Sequence, residues 1–360
     1  MKNISQSEYI KLLSRHAREN NIPLSGSFEL TPLCNLDCKM CYVHLQDASL
    51  KERLLSGKQY ISVMKEAIAH GMVFVLLTGG EALTHPDFWE IYDFLQSAGV
   101  YVRLKTNDIL LNEETVIRLS KQPPYGIDIS LYGCDRESYL AVTGHDVFDT
   151  VAKNIYNAIG ALLPVRLMIT PSGYMSPWTD AVMAYAKSFN VPVVVNETLI
   201  APYENTGRKI EDFDLPAEEY LRIAKKRTEM FSDLPAPDED EERIQETADG
   251  IPVPEKGLRC GAGRSCFSMH WNGNMTACLS FSEKLVCADV QSVGFDEAWR
   301  KINSFVREYE IPKACLSCAH NQFCSYCPTR HGAFAERHEC NTAFCELKKL
   351  LINDRIKAAK

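Results

Sequence analysis

Hydrophobic positions in the first two-thirds of the chain alternate between two patterns. Short β-rich runs recur at residues 27–31, 72–78, 100–106, 126–132, 165–170 and 191–199. Several are almost continuously apolar, as in VFVLL at 73–77 and VPVVV at 191–195. Such runs fit strands of a parallel sheet covered on both faces. Between them lie segments of helical periodicity. The segment 59–70 places Ile61, Met64, Ala67 and Ile68 on one face. The segment 86–98 opens with Pro86, a residue tolerated in a first helical turn, and 112–120, 147–162 and 177–189 follow the same logic. Six βα units predict an α/β fold, a barrel or partial barrel. In such folds the reactive groups sit at the C-terminal ends of the strands.

The pattern changes past the sixth unit. Residues 215–227 read as one more helix, and 231–257 turn polar and acidic (DLPAPDEDEE at 233–242). That stretch reads as a solvated linker, with a grip on a basic peptide as the alternative. The divisions expected are an N-terminal helix at 1–23, the barrel at 24–230, the acidic linker at 231–257 and a cysteine-rich region with a C-terminal helix at 258–360.

Composition narrows the function classes. The formal net charge of -8 disfavours general nucleic-acid binding, which needs basic surface to neutralise phosphates. No apolar run reaches the roughly 18–20 residues of a membrane span, and the charged N-terminus lacks a signal-peptide core. A cytoplasmic protein without membrane or nucleic-acid partners is expected. In that compartment clustered thiols are metal ligands or catalytic groups rather than disulfides. The 14 cysteines are uneven: three at 34–41, Cys134 alone, and ten between 260 and 345.

The first cluster, Cys34-Asn-Leu-Asp-Cys38-Lys-Met-Cys41, directly follows the strand-like FELTP. Three close thiolates anchor three irons of a 4Fe–4S cluster and leave the fourth open to chelation by an amino acid such as methionine. A partial zinc site is the competing reading, but structural zinc takes four protein ligands and no fourth has a natural spacing. This loop resembles the signature of the radical SAM superfamily, whose core is a partial (β/α)6, TIM-like barrel. The resemblance covers roughly residues 24–200. Met40 stands where that family often has an aromatic near adenine, so Tyr42 or His44 is expected at the adenine wall. The resemblance implies that the Gly79-Gly80-Glu81 turn in LLTGGEAL holds the amino group of S-adenosylmethionine (SAM). It likewise places Thr106, Asn107 and Ser130 at its ribose or carboxylate, with Arg166 a candidate to pair with that carboxylate. Cys134 reads as a small buried hydrophobe or a catalytic thiol.

The C-terminal array runs Cys260-x5-Cys266-x11-Cys278, then Cys315-x2-Cys318-x5-Cys324-x2-Cys327, Cys340 and Cys345. Residues 258–350 resemble a SPASM domain, a small Cys-rich domain with two auxiliary 4Fe–4S clusters, so three clusters in all are implied. The resemblance assigns Cys260, Cys266, Cys278 and Cys327 to the first and Cys315, Cys318, Cys324 and Cys345 to the second, with Cys340 as rival to Cys345. Zinc is again the alternative, since CxxC pairs also occur in zinc ribbons. Cys287 has no assigned role.

The resemblance implies reductive SAM cleavage to a 5′-deoxyadenosyl radical, fed by a ferredoxin- or flavodoxin-like electron donor. The expected substrate is a ribosomally made peptide or small protein that acquires a thioether or C–C crosslink. A small molecule such as a tetrapyrrole or cofactor precursor is the second reading, and a non-enzymatic metal scaffold the third. Sulfatase maturation is disfavoured, because the Asp that group carries after the third cysteine is Leu279 here. The short stretch before the barrel leaves no room for a peptide-recognition domain, so a separate leader-binding protein is expected.

Overall fold

The computed structural model describes residues 6–43, 47–196, 199–200, 202, 209–234, 254–321, 324, 326–329 and 342–358. Six parallel strands form the core sheet: β1 (Ser25–Glu29), β2 (Phe74–Thr78), β3 (Tyr101–Thr106), β4 (Gly126–Ser130), β5 (Val165–Ile169) and β6 (Val193–Val195). The 191–199 run narrows to three residues, because Pro192 has no N–H to give the ladder and contributes its carbonyl to Leu167 instead.

Helices follow the strands: α1 (Gln6–Asn20), α2 (Gly57–Ala69), α3 (Phe88–Ser97), α4 (Glu113–Lys121), α5 (Arg136–Thr143), α6 (Phe148–Gly160), α7 (Thr179–Ser188) and α8 (Ala217–Met230). Capping chemistry sets their starts. Ser56 and Gln59 form a reciprocal capping box on α2, Asp135 and Ser138 do so on α5, and Asn112 caps α4. Their apolar faces (Met64, Ile91, Leu119, Ile155 and Met183 among others) are buried against the outer face of the sheet.

The sheet does not stop at β1. The cysteine-rich region adds β7 (Cys266–Met269) parallel to β1, then β8 (Asn274–Thr276) and β9 (Ala288–Asp289) antiparallel, for the order β6-β5-β4-β3-β2-β1-β7-β8-β9. Helix α9 (Phe295–Glu308) covers this extension with Phe295, Ala298, Trp299, Ile302 and Val306, an i, i+3, i+4, i+7, i+11 stripe. Phe267 of β7 is wedged between Phe28 of β1 and Phe295, at ring separations of 5.7 and 5.2 Å. Each such ring removed from water contributes roughly 1.5–3 kcal/mol. Helix α10 (Thr342–Ala358) packs on α8. Most of the acidic linker, residues 235–253, lies outside the described residues, as does Cys340.

Candidate active site

The inner face of the sheet is polar. Side chains alternate across a strand, so Phe28 faces the helices while Glu29 faces inward. The β3–β4–β5 register then brings Arg103, Asp128 and Arg166 together inside the barrel. Asp128 accepts from Arg166 Nε at 2.7 Å, from its terminal nitrogen at 2.9 Å and from Arg103 at 3.1 Å. Gly126 leaves space for that guanidinium, since a Cβ there would lie 2.2 Å from it. Arg166 is the candidate partner of the SAM carboxylate. It occupies the second position of β5, two residues below the level of Ser130, and its guanidinium is engaged by a carboxylate of the protein itself.

The cysteine loop leaves the C-terminal end of β1, as the barrel rule requires. The Gly-Gly turn after β2 grips it from one side. Gly80 N–H donates to Thr31 at 2.7 Å and Glu81 N–H to Leu33 at 2.9 Å. A Cβ on Gly79 would stand 2.6 Å from the Thr31 carbonyl oxygen, and one on Gly80 2.3 Å from that of Leu33. Both glycines therefore serve close backbone approach to the segment that delivers Cys34. The last turn of α5 holds the other side: Asp37 and Lys39 N–H groups donate to the carbonyls of Thr143 and Val142.

Glu81 is wholly buried and staples two strand ends. Its carboxylate accepts from Leu83 N–H, from the Thr106 hydroxyl and, at 2.7 Å, from Asn107 N–H. Burial nevertheless pushes its pKa up to about 7. The side-chain amide of Asn107 reaches Cys34 Sγ at 3.4 Å and the Asn35 side-chain oxygen at 2.6 Å. The three thiols influence one another. Burial, with smaller contributions from Glu81 and Cys41, raises Cys34 to about 12, and burial together with Cys41 and Cys34 raises Cys38 well above the usual thiol range. A metal reverses this by deprotonating the thiols it binds, so buried, mutually repelling thiols suit a cationic cluster. Among the described residues no three Cys, His, Asp or Glu side chains converge as ligands of one ion would. A cluster instead takes each thiolate on a separate iron.

Met40 is buried in the apolar core. Burial pushes the Tyr42 pKa up, with Glu29, Cys41 and Cys278 adding to it. His44 lies outside the described residues. Ser130 ends β4; beyond it Tyr132 is buried, and burial, with Cys38 and Cys41 adding to it, pushes its pKa up. Cys134 sits in the turn before α5, beside Ser138.

In the C-terminal region Cys260, Cys266, Cys278 and Cys327 come together. Burial raises Cys266 well above its usual range, with Cys278 and Cys260 adding to it. Burial likewise lifts Cys260 to about 11 and Cys278 to about 12, in both cases with Cys327 the next cause. The β7–β8 hairpin spaces the set, Cys266 opening β7 and Cys278 following β8. Cys315, Cys318 and Cys324 follow one another through turns, with backbone bonds from Cys318 to Cys315 and from Cys324 through Asn321. Cys345 lies in the first turn of α10. Cys287 is half-buried ahead of β9.

Residues that the sequence reading passed over complete the site. Glu29 and His270 meet at 3.5 Å, both buried, and the other ring nitrogen of His270 bonds Thr276 at 2.9 Å. Thr276 donates to the Cys278 carbonyl, so this chain ties β1 to the C-terminal set. Asp108 is fully buried with neither carboxyl oxygen hydrogen-bonded, at φ 74°. The β1–β7 register was the missing signal for Glu29 and His270, and an acidic residue after a strand-end Thr-Asn was the one available for Asp108.

Comparison with known proteins agrees with this geometry. A family model described as the radical SAM superfamily matches residues 28–215. Mycofactocin maturase MftC of Mycolicibacterium smegmatis is 26% identical over 326 residues, covering 87% of this chain and 80% of that protein. A probable GTP 3′,8-cyclase of Saccharolobus islandicus is 34% identical over 140 residues, covering 38% of this chain and 44% of its own. Among solved structures, anSMEcpe with bound AdoMet superposes with a TM-score of 0.68 at 16% identity, covering 94% of this chain and 95% of that one. Streptococcus suis SuiB bound to precursor peptide SuiA does so with 0.67 at 15%, covering 94% and 81%.

Proposed function

Since the chain belongs to the radical SAM superfamily, we propose that it is a peptide maturase that uses SAM to introduce a crosslink, thioether or C–C, into a ribosomally made precursor. Cys34, Cys38 and Cys41 hold the SAM-binding 4Fe–4S cluster. Cys260, Cys266, Cys278 and Cys327 hold one auxiliary cluster, and Cys315, Cys318, Cys324 and Cys345 a second. Once bound, the first cluster supplies the electron that cleaves SAM to the 5′-deoxyadenosyl radical that removes hydrogen from the substrate.

The residues divide the remaining work. The Gly79–Glu81 turn fixes the loop and offers its backbone to the SAM amino group. Ser130 and Thr106 mark the strand ends where the ribose and carboxylate lie, and Met40 and Tyr42 line the approach to adenine. Closing a crosslink removes two hydrogens: one atom to the radical, and a proton plus an electron from the product radical. An acceptor is needed for that electron, and an auxiliary cluster on the C-terminal cysteines would provide it. The observation that carries this reading is the β1–β7 pairing, which joins the cysteine-rich region edge-on to the strand that delivers the Cys34 loop.

Support for a peptide comes from the maturase relatives, which span 87% of this chain, and from SuiB, a protein of the same fold solved with a precursor peptide. The cyclase relative matches only 38% of this chain, which keeps the small-molecule reading second. An external ferredoxin- or flavodoxin-like donor and a separate leader-binding protein complete the proposal.

The test is anaerobic purification, iron and sulfide analysis, and incubation with dithionite and SAM. About twelve irons per chain, four for each of three clusters, and 5′-deoxyadenosine are expected. Alanine at Cys34, Cys38 and Cys41 together removes the product and about a third of the iron. Adding a precursor peptide encoded beside the gene should lower the peptide's mass by two hydrogens. Zinc in place of iron, with SAM left intact, would establish the scaffold reading instead.

A further inference from the structure

Asn107 stands where the family resemblance implies a SAM contact, yet its side chain is committed elsewhere. Its amide nitrogen lies 3.4 Å from Cys34 Sγ and 2.6 Å from the Asn35 side-chain oxygen, so both amide protons have acceptors. Its side-chain oxygen accepts from Ile109 N–H at 3.2 Å. That last bond decides which way the amide points. An inverted amide would set its NH2 against the Ile109 N–H and its oxygen against the Asn35 oxygen, so the network assigns the donor end to the thiol. Backbone geometry locks the arrangement. The intervening Asp108 has φ 74°, which curls Ile109 N–H back onto the Asn107 side chain as an Asx turn. The backbone N–H of Asn107 is held by Glu81 at 2.7 Å. With 5% of its surface exposed, Asn107 gives its amide to sulfur with little competition from water.

We infer that Asn107 is a positioning residue for the SAM-binding cluster, donating a side-chain N–H···S hydrogen bond to the Cys34 thiolate that raises the cluster's reduction potential. The inference rests on the reading of Cys34, Cys38 and Cys41 as cluster ligands. Reduction adds negative charge that spreads onto the ligand sulfurs. A donor aimed at one of them therefore stabilises the reduced state more than the oxidised state. A low-dielectric site strengthens the effect. Leu36 N–H also meets Cys34 Sγ, at 3.4 Å, but it belongs to the loop's own fold. Asn107 reaches the sulfur from the end of a different strand, so this contact couples β3 to the cluster loop. Any substrate or cofactor that displaces the end of β3 also changes the electron affinity of the cluster.

The experiment is a redox titration of the anaerobically purified chain followed by electron paramagnetic resonance, with and without SAM. The signal that changes on SAM addition identifies the cluster concerned and separates it from auxiliary signals. Asn107→Leu keeps the approximate volume and removes the donor. Asn107→Ala does so without adding bulk. The expected result is a SAM-responsive signal in both variants, at wild-type iron content, with its midpoint shifted to more negative potential. An unmoved midpoint in both overturns the inference, and so does loss of the cluster in both, which would make Asn107 a structural bracket. Absence of any SAM-responsive signal in the unaltered chain is a separate result, and counts against the cluster reading itself.

Discussion

The two cysteine regions share one sheet but are secured differently. Cys34–Cys41 lies on a loop pinned from outside, by the Gly-Gly turn after β2, by the end of α5 and by the Asn107 side chain at the end of β3. Cys260, Cys266 and Cys278 are instead spaced by regular structure, the β7–β8 hairpin under α9. The first arrangement gives the Cys34 thiol a chosen hydrogen-bond environment at the cost of buried polar groups. The second fixes spacing mainly through apolar packing. A site that must change oxidation state and bind a cosubstrate gains from tunable side chains. A site held by apolar packing gains rigidity instead.

The contrast breaks most sharply at Gly80. Its close approach to Leu33 belongs to the first region alone, so Gly80→Ala should move the loop without touching β7. Overpacking of this kind costs about 1–3 kcal/mol, and a misplacement on the order of 1 Å reduces turnover by about 10²-fold. Iron analysis should show about a third of the metal lost, one cluster of three. A variant with full iron and normal 5′-deoxyadenosine formation would show that the turn does not set the loop. Cys278→Ala probes the other side. On the proposed function, SAM cleavage should persist while peptide product falls, because the Cys34–Cys41 loop is untouched. Equal loss of both would mean that the two regions are not separable.

Much of the first region was legible in the sequence. Parallel strands buried on both faces leave continuous apolar runs, and all six appeared within a few residues of their places. Cysteine spacing identified the loop, and the resemblance grouped four C-terminal cysteines that the fold brings together. What stayed hidden depends on register. Nothing local in CFSM says that it pairs with β1, so the Glu29–His270 contact had no signal. Arg166 reads equally well as a mouth residue or a floor residue until Asp128 is placed opposite it. The α9 stripe was readable from Phe295, Ala298, Trp299 and Ile302. The surface it covers was not, because that surface exists only once β7 pairs with β1.

The Glu29–His270 pair is the seam between the regions, and pH sharpens it. Burial alone would lower the His270 pKa; the Glu29 carboxylate outweighs that and holds it above 6.5. A histidine raised on folding contributes stability that is fully present below its unfolded value and is lost as pH rises through the folded one. His270→Phe should therefore destabilise most at about pH 6 and progressively less towards alkaline pH. The loss at the acidic end is about 1–3 kcal/mol, the scale of a buried hydrogen bond to a charged group. Thermal melts of the two proteins across that range measure it. A difference independent of pH would remove the ion pair from the account and leave only packing.

The smallest effect expected is a gain. Asp108 sits at φ 74°, fully buried, with no hydrogen bond to either carboxyl oxygen, and burial with the nearby Glu81 raises its pKa well above the carboxylate range. Such a group costs stability wherever it is not needed. Its left-handed backbone is required, because that curl carries Ile109 back to Asn107; its carboxyl is not required for it. Asn keeps the conformation and Gly relaxes it. Asp108→Asn and Asp108→Gly should each raise stability by about 1 kcal/mol, measured by denaturant unfolding, while leaving the C-terminal cysteines undisturbed. If both variants lose stability, the carboxyl is holding the end of β3 in place. The first region would then be built on satisfied polar contacts as thoroughly as the second is built on packing.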